Sequence, residues 1–291
     1  MTISATMIKD LRARSGAGIM ECKDALKQTE GDTEEALDYL RKKGSSAAEK
    51  KAGRSTREGA VGGAVIDGSG SLIEVKCETD FVARNEKFQE LTKNLAEHLA
   101  KSEFMEDEDS FMDQPFSEDA SHTIKSVITE KIRELGENIT IGRRVQYPKS
   151  DPGGFGLYIH GVGGIGVVVE VSCATEETAD SDAFKGLCRD LAMHIAASNP
   201  LSIGIDGLSS EVVTREKEIF EAQAKESGKP DKIIPKIIEG KLKKYYMEVC
   251  LLEQAFVKDT DKSVKGLLEE AGKEMGEPVT ITRFSRFQLG E

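Results

Sequence analysis

Tryptophan is absent from this chain of 291 residues, and phenylalanine and tyrosine make up only 5% of it. Aliphatic side chains must therefore build the core. Long apolar runs are missing too: none approaches the roughly 20 residues that span a bilayer, and the opening MTISATMIKDLRARSG is broken by polar residues where a signal peptide needs a continuous apolar centre. A soluble cytoplasmic chain without membrane contact is expected. Positive charge is in deficit, with 40 lysines and arginines against 52 acids, a net charge of −12 and a pI near 5.1. That balance argues against broad contact with a phosphate backbone, so the expected partner is a protein and not nucleic acid.

Chemistry-bearing patterns are also scarce. The five cysteines, Cys22, Cys77, Cys173, Cys188 and Cys250, form neither a CxxC nor a zinc spacing, which suits buried free thiols in a reducing compartment. The four histidines, His98, His122, His160 and His194, lie far apart, and no Ser, Cys or carboxylate joins them in a catalytic pattern. The phosphate-loop pattern GxxxxGK[ST] does not occur. No catalytic residue, cofactor or metal is expected. GVGGIG at 161–166 matches GxGxxG, the basis of a rival reading as a nucleotide-using oxidoreductase. A dinucleotide site needs the last glycine to open a helix, whereas VVVEVSC follows, so a hairpin turn is expected.

Hydropathy patterning supplies an α+β fold class. Three short helices are expected in residues 1–44, with apolar faces at Ile8 and Leu11, at Cys22, Ala25 and Leu26, and at Ala36, Leu37 and Leu40, punctuated by Gly16, Gly18, Gly31 and Gly44. Asp32 with Glu35 caps the third. Residues 45–57 read as a flexible basic linker. A first core unit, 58–148, opens with a hairpin of GAVGGAVI and LIEVKC, followed by a helix bearing Phe88, Leu91, Leu95 and Leu99. The acidic stretch SEFMEDEDSFMDQPFSEDAS reads as a loop or poorly ordered insertion, and a helix with Ile124, Val127, Ile128, Ile132 and Leu135 follows. A second core unit takes 149–208 and 244–291. Between its parts, 209–243 forms an antiparallel, coiled-coil-like helical hairpin broken at Gly228-Lys229-Pro230, whose second helix carries Pro235 and continues toward Phe256. The final PVTITRFSRFQLGE starts as an alternating strand able to join the second sheet.

An ungapped internal repeat connects the two core units. A shift of 96 carries Gly68, Gly70, Glu74, Val75, Cys77 and Thr79 onto Gly164, Gly166, Glu170, Val171, Cys173 and Thr175. The same shift carries Phe88, Leu91, Leu95 and His98 onto Phe184, Leu187, Leu191 and His194. These are turn, strand and helix-face positions, as a shared hairpin-plus-helix fold requires, and the paired histidines point to packing. Asp80-Phe81 falls on Glu176-Glu177, so the common fold does not require a phenylalanine there.

Two stretches leave alternatives open. Ile19-Met20 either staples the small bundle or forms an adaptable apolar surface contact. Thr79-Asp80 reads as a helix cap with Phe81 in the core, or else Phe81 faces outward.

LRARSGAGIMECKDAL, GDTEEALDYLRKKG, CETDFVARNEKF, AMHIAASNP and VTITRFSRF together resemble bacterial elongation factor Ts, the nucleotide-exchange factor for elongation factor Tu. The resemblance runs end to end. It implies a ubiquitin-associated-like N-terminal domain, a duplicated core and a protruding helical hairpin, with Tu as partner and a homodimer or a heterotetramer with Tu as higher assemblies. It also implies that Thr79, Asp80, Phe81 and Val82 dock on the G domain of Tu and disturb its magnesium site. Leu11, Ile19 and Met20 would make an apolar contact, and His160 with Gly161 would meet another Tu domain. Gly164 stands where relatives often carry arginine.

Overall fold

Short apolar faces between glycines produce the N-terminal bundle of α1 (Ala5–Ser15), α2 (Ile19–Gln28) and α3 (Thr33–Glu49) in the computed structural model, which describes residues 3–15, 17–148, 152–226 and 230–291. Gly16 and the break at Gly228-Lys229 lie outside the described residues. Leu11, Cys22, Ala25, Leu26 and Ala36 are fully buried in the bundle, and Asp32 accepts the Glu35 amide at 2.9 Å as the cap of α3. Helix α3 does not stop at Gly44. That glycine is buried, a Cβ on it would come into ordinary contact with Arg133 and Thr129 of α7, and Ala48 packs on the first core. Tertiary packing thus overrides the weak helix propensity of glycine. The segment expected to be a flexible linker is held further along: Lys51 donates to the Ile132 carbonyl at 3.3 Å, and Asn138 to those of Ala52 and Arg54 at 3.4 and 3.1 Å.

Strands β1 (Glu58–Ile66) and β2 (Ser69–Cys77) pair antiparallel across Asp67-Gly68. The chain then forms α4 (Asp80–Ala83) and α5 (Glu86–Lys101), whose Phe88, Leu91, Leu95 and Leu99 cover the sheet. The acidic stretch is ordered where a loop was expected. It holds α6 (Glu108–Met112), and Phe111 and Phe116 are buried, each with its ring 5.9 Å from that of His98. Two buried aromatics outweigh the repulsion among exposed acids. Helix α7 (Ile124–Leu135) leads into β3 (Thr140–Tyr147), a strand the sequence reading did not anticipate, and the sheet order is β1-β2-β3.

The second sheet follows the same course. Strands β4 (Gly153–His160) and β5 (Ile165–Ser172) form a hairpin, then come α8 (Glu176–Asp180) and α9 (Asp182–Ser198). Helices α10 (Ser210–Glu226) and α11 (Ile234–Val249) run antiparallel, with Phe220 against Tyr245 and Gln223 bonded to Lys241. Pro235 occupies the first turn of α11, where its missing N–H costs nothing. Helix α11 ends at Val249, short of the expected Phe256: a 3-10 turn at Leu251–Glu253 intervenes, and β6 (Ala255–Phe256) pairs with β7 (Asp259–Ser263). Helix α12 (Val264–Met275) precedes β8 (Thr280–Gln288), which completes the order β4-β5-β8 as the terminal alternation suggested.

Buried charge ties the two sheets together reciprocally. Glu74 on β2 pairs with Arg143 at 3.2 Å and Glu170 on β5 with Arg283 at 2.5 Å. Arg143 then donates to the Gln288 carbonyl and lies over Phe287, while Arg283 donates to the Pro148 carbonyl and lies over Tyr147. Burial alone would raise the Glu74 carboxyl, but the Arg143 bonds and the charges of Arg143 and Lys76 bring it below its usual range. Val61, Leu72 and Val168 form a buried apolar layer between the sheets.

His98 and His194 also match in their surroundings. Their Nε2 atoms meet Gln114 and Gln254 at 2.9 and 3.0 Å, and their Nδ1 atoms accept the amides of Ser117 and Val257, each at 3.1 Å. Burial lowers both imidazoles below their usual 6.5, with the glutamine bonds opposing it. The neutral form is thus the folded form. Below pH 6.5 the unfolded chain takes up protons that the folded chain refuses, so their stability contribution is complete above that pH and declines as pH falls toward the folded values. The melting temperature should fall from pH 6.5 toward pH 5 in calorimetry, and a His98→Asn, His194→Asn double variant should show a shallower slope over that interval.

Close packing makes a second expectation. A Cβ on Gly156 would stand 1.9 Å from the Cys188 carbonyl oxygen, whereas one on Gly240 of α11 would meet nothing within 4 Å. Urea titration should find Gly156→Ala destabilised by about 3 kcal/mol or more through overpacking, and Gly240→Ala stabilised by about 0.5–1 kcal/mol through helix propensity.

Candidate docking surface

The chain leaving β2 is gripped before it turns. The Glu137 carboxylate, just beyond α7, accepts the amides of Glu78 and Thr79 at 3.1 and 3.0 Å and the Thr79 hydroxyl at 2.7 Å. Glu78 returns the bond by accepting the Asn138 amide at 2.6 Å. The Cys77 thiol donates to the Thr79 carbonyl at 3.2 Å, and burial, reinforced by the Glu137 charge, pushes it up to about 12. It stays protonated and serves as a donor. Thr79 in turn caps α4 by accepting the Val82 amide at 3.4 Å.

A four-residue helix points its side chains to opposite sides. Ala83 is buried and Val82 packs on the first core, while Asp80 is exposed and Phe81 is 83% exposed. The reading with Phe81 in the core is therefore overturned, whereas the cap is present. The second half keeps the frame: Glu277 accepts the Ala174 and Thr175 amides at 3.0 and 3.2 Å and the Thr175 hydroxyl at 3.3 Å. Burial would raise the Glu277 carboxyl, but these bonds and one from Thr178 lower it. Glu176 and Glu177 stand exposed where the first half has Asp80 and Phe81.

The turn between β4 and β5 lies beside α4. Its Gly163 carbonyl accepts the Val61 amide from the free edge of β1 at 2.7 Å, and Gly161 and Gly163 have φ of 61° and 91°. Gln89 on α5 donates to the carbonyls of Ala83 in α4 and Val162 in the turn, at 2.6 and 3.1 Å. His160 and Gly161 are exposed, Val162 is 48% exposed, and the Tyr158 hydroxyl lies 3.0 Å from His160 Nδ1. GVGGIG thus turns into β5 without opening a helix, which removes the basis of the oxidoreductase reading.

At the other end, Ile19 and Met20 begin α2 and are 55% and 65% exposed. Glu21 fixes that start by accepting the Gly18 amide at 3.2 Å, and Arg133 of α7 lies 3.5 Å from Glu21 and donates to the Ser15 carbonyl at 2.5 Å. Leu11, expected beside Ile19 and Met20, is fully buried in the core of the bundle and does not share their exposure. Arg133 on α7 thus braces the start of α2, and Glu137 just beyond the end of α7 braces the Thr79 turn. Arg133, Glu137 and Gln89 escaped the sequence reading. A second shift, which carries Gly136-Glu137 onto Gly276-Glu277, held the available signal for Glu137.

Among the described residues, no group of three His, Cys, Asp or Glu could hold a metal, and no helix is long and apolar enough to cross a membrane. A cavity of about 840 Å³ between α3 and α7 is lined by none of the exposed docking candidates. Cys22, Cys77, Cys188 and Cys250 are buried free thiols, while Cys173 is only half-buried, short of the expectation for it.

The chain folds as an α+β frame that leaves Phe81, Ile19, Met20 and Val162 exposed at its turns and helix starts. Its residues 78–291 match the family described as Elongation factor TS. Proteins named Elongation factor Ts from Trichlorobacter lovleyi and Syntrophotalea carbinolica are 46% and 47% identical to it, each over 100% of this chain and 94% of the relative. One from Lawsonia intracellularis is 43% identical over the whole of both chains. The chain belongs to the elongation factor Ts family.

The geometry separates frame from contact. Glu137→Ala should cost about 1–3 kcal/mol in urea titration by leaving three donors without their acceptor, whereas Phe81→Ala should stay within about 0.5 kcal/mol, as exposed substitutions do.

Proposed function

We propose that this protein is the guanine-nucleotide exchange factor for elongation factor Tu in translation elongation, a cytoplasmic binding protein and not an enzyme. The observation that carries the reading, beyond family membership, is Phe81: a large apolar side chain 83% exposed on a turn fixed by Glu137. Phe81, flanked by Thr79, Asp80 and Val82, would insert between elements of the Tu G domain. Magnesium requires near-octahedral oxygen ligands at almost fixed distance and bridges the nucleotide phosphates to the protein. Packed elements shift between discrete arrangements, so a small displacement weakens the metal site and releases GDP. GTP then displaces the factor. Linkage demands the reciprocal effect: whatever weakens GDP on the complex is itself weakened by GDP.

Ile19 and Met20 would supply an apolar contact to the same partner, and His160 with Gly161 a contact to another of its domains. We further infer that 1–44 is a ubiquitin-associated-like domain, that the two core units descend from one duplicated unit, and that 209–243 protrudes. Reciprocal Arg143 and Arg283 contacts, matched Glu137 and Glu277 brackets, and matched His98 and His194 surroundings support the duplication.

Stopped-flow release of fluorescent GDP from Tu tests the reading. Phe81→Ala should slow release roughly 30- to 150-fold, the effect of losing about 2–3 kcal/mol at an interface anchor. Chelating magnesium should restore part of the rate. Met20→Ala should weaken Tu binding with an almost unchanged melting temperature. A Phe81→Ala protein that exchanges as fast as its parent would overturn the wedge.

A further inference from the structure

We infer that Gln89 is a positioning residue that joins the Phe81 turn and the β4–β5 turn into one rigid docking face. The inference rests on the exchange-factor reading for its consequence, but its geometry stands alone. The two turns come from different sheets, and Gln89 Nε2 donates to a carbonyl of each, Ala83 at 2.6 Å and Val162 at 3.1 Å. Both partners are acceptors, so the residue must be a donor there, and of the two ends of the glutamine amide only the nitrogen can satisfy them. A carboxylate of the same shape would face two carbonyl oxygens and repel both.

The second half provides an internal comparison. The shift of 96 places Lys185 at the position of Gln89, and its ammonium donates to the Asp180 carbonyl at 2.7 Å, at the end of α8. Steadying the short helix is thus common to both halves. Reaching across to the other sheet's turn is the added function of Gln89. Gly163 shows how close the approach is: with φ of 91°, a Cβ there would stand 2.7 Å from that of Ala60. His160, Val162 and Phe81 are thereby held in fixed relation, so the partner meets two contacts at a set spacing. Force transmitted through a wedge requires that its mount not yield.

The test uses the full chain with Gln89→Glu, Gln89→Met and Gln89→Lys, and Phe81→Ala as a control. Hydrogen exchange at residues 160–164 should quicken at least about fivefold in Gln89→Glu and Gln89→Met, the effect of one lost hydrogen bond. Gln89→Lys, which keeps a donor of similar reach, should hold the parental rate. In stopped-flow release of fluorescent GDP from Tu, the first two variants should lower the maximal rate about five- to tenfold, with the half-saturating factor concentration little changed. A merely structural residue would instead lower the melting temperature and leave that rate intact. Parental hydrogen exchange in Gln89→Glu overturns the joint, and quickened exchange with parental GDP release overturns its positioning role. Parental release in Phe81→Ala with slowed release in Gln89→Glu would instead sink the wedge reading while leaving Gln89 in place.

Discussion

One carboxylate holds the turn that carries Phe81. Glu137 collects two backbone amides and a hydroxyl at the point where the chain leaves β2, and a four-residue helix hangs from that point. Such a helix has no stability of its own, because nucleation fixes several residues for a single hydrogen bond. It exists because the tertiary structure prepays that ordering. Thr79 therefore does two things with one hydroxyl, donating to Glu137 and accepting from Val82, and the exposed phenylalanine inherits the rigidity of α7 and β3.

Comparing the halves separates what folding requires from what the surface adds. The brackets at Glu137 and Glu277, the pairs Glu74–Arg143 and Glu170–Arg283, and the capped helices α4 and α8 occur in both. What differs lies outside that frame. Phe81 replaces a glutamate, the turn after β4 is longer than Asp67-Gly68, and α10 with α11 occupies only the second half. A packed frame tolerates such additions at turns, where few contacts constrain the chain.

Periodicity made much of this legible. The three N-terminal helices, the two hairpins, α5, α7, α9 and the terminal strand all follow from apolar spacing and glycine punctuation, and the shift of 96 equated the hairpins and their helices. Legibility failed where long-range packing overrode local signal. Gly44 reads as a stop, yet α3 continues because α7 lies alongside. The acids around Phe111 read as disorder, yet Phe111 and Phe116 close over His98. Strand β3 was hidden because half its residues are polar, its Arg143 being satisfied by Glu74 on the neighbouring strand. Exposure of Phe81 was undecidable from spacing alone, since a four-residue helix is too short for its periodicity to show which face is buried. Burial of Leu11 agrees with its place on the apolar face of α1, beside Ile8 in the spacing.

Scarcity of aromatics gives the exposed phenylalanine its meaning. A chain with 11 phenylalanines and no tryptophan has little aromatic surface to spend, and Phe88, Phe111 and Phe184 are fully buried. Leaving Phe81 in water forgoes roughly 1.5–3 kcal/mol of burial, which a fold does not surrender where Glu177 serves equally well in its other half. Isolated exposed apolar residues are tolerable in a soluble protein, and a net charge of −12 opposes self-association around this one. On the proposed reading, the forgone burial would be recovered against the partner. Stiffness would then decide, on that same reading, how it is recovered: a loosely held phenylalanine would adapt to the partner's surface, whereas one held by Glu137 and Gln89 would make the partner adapt to it.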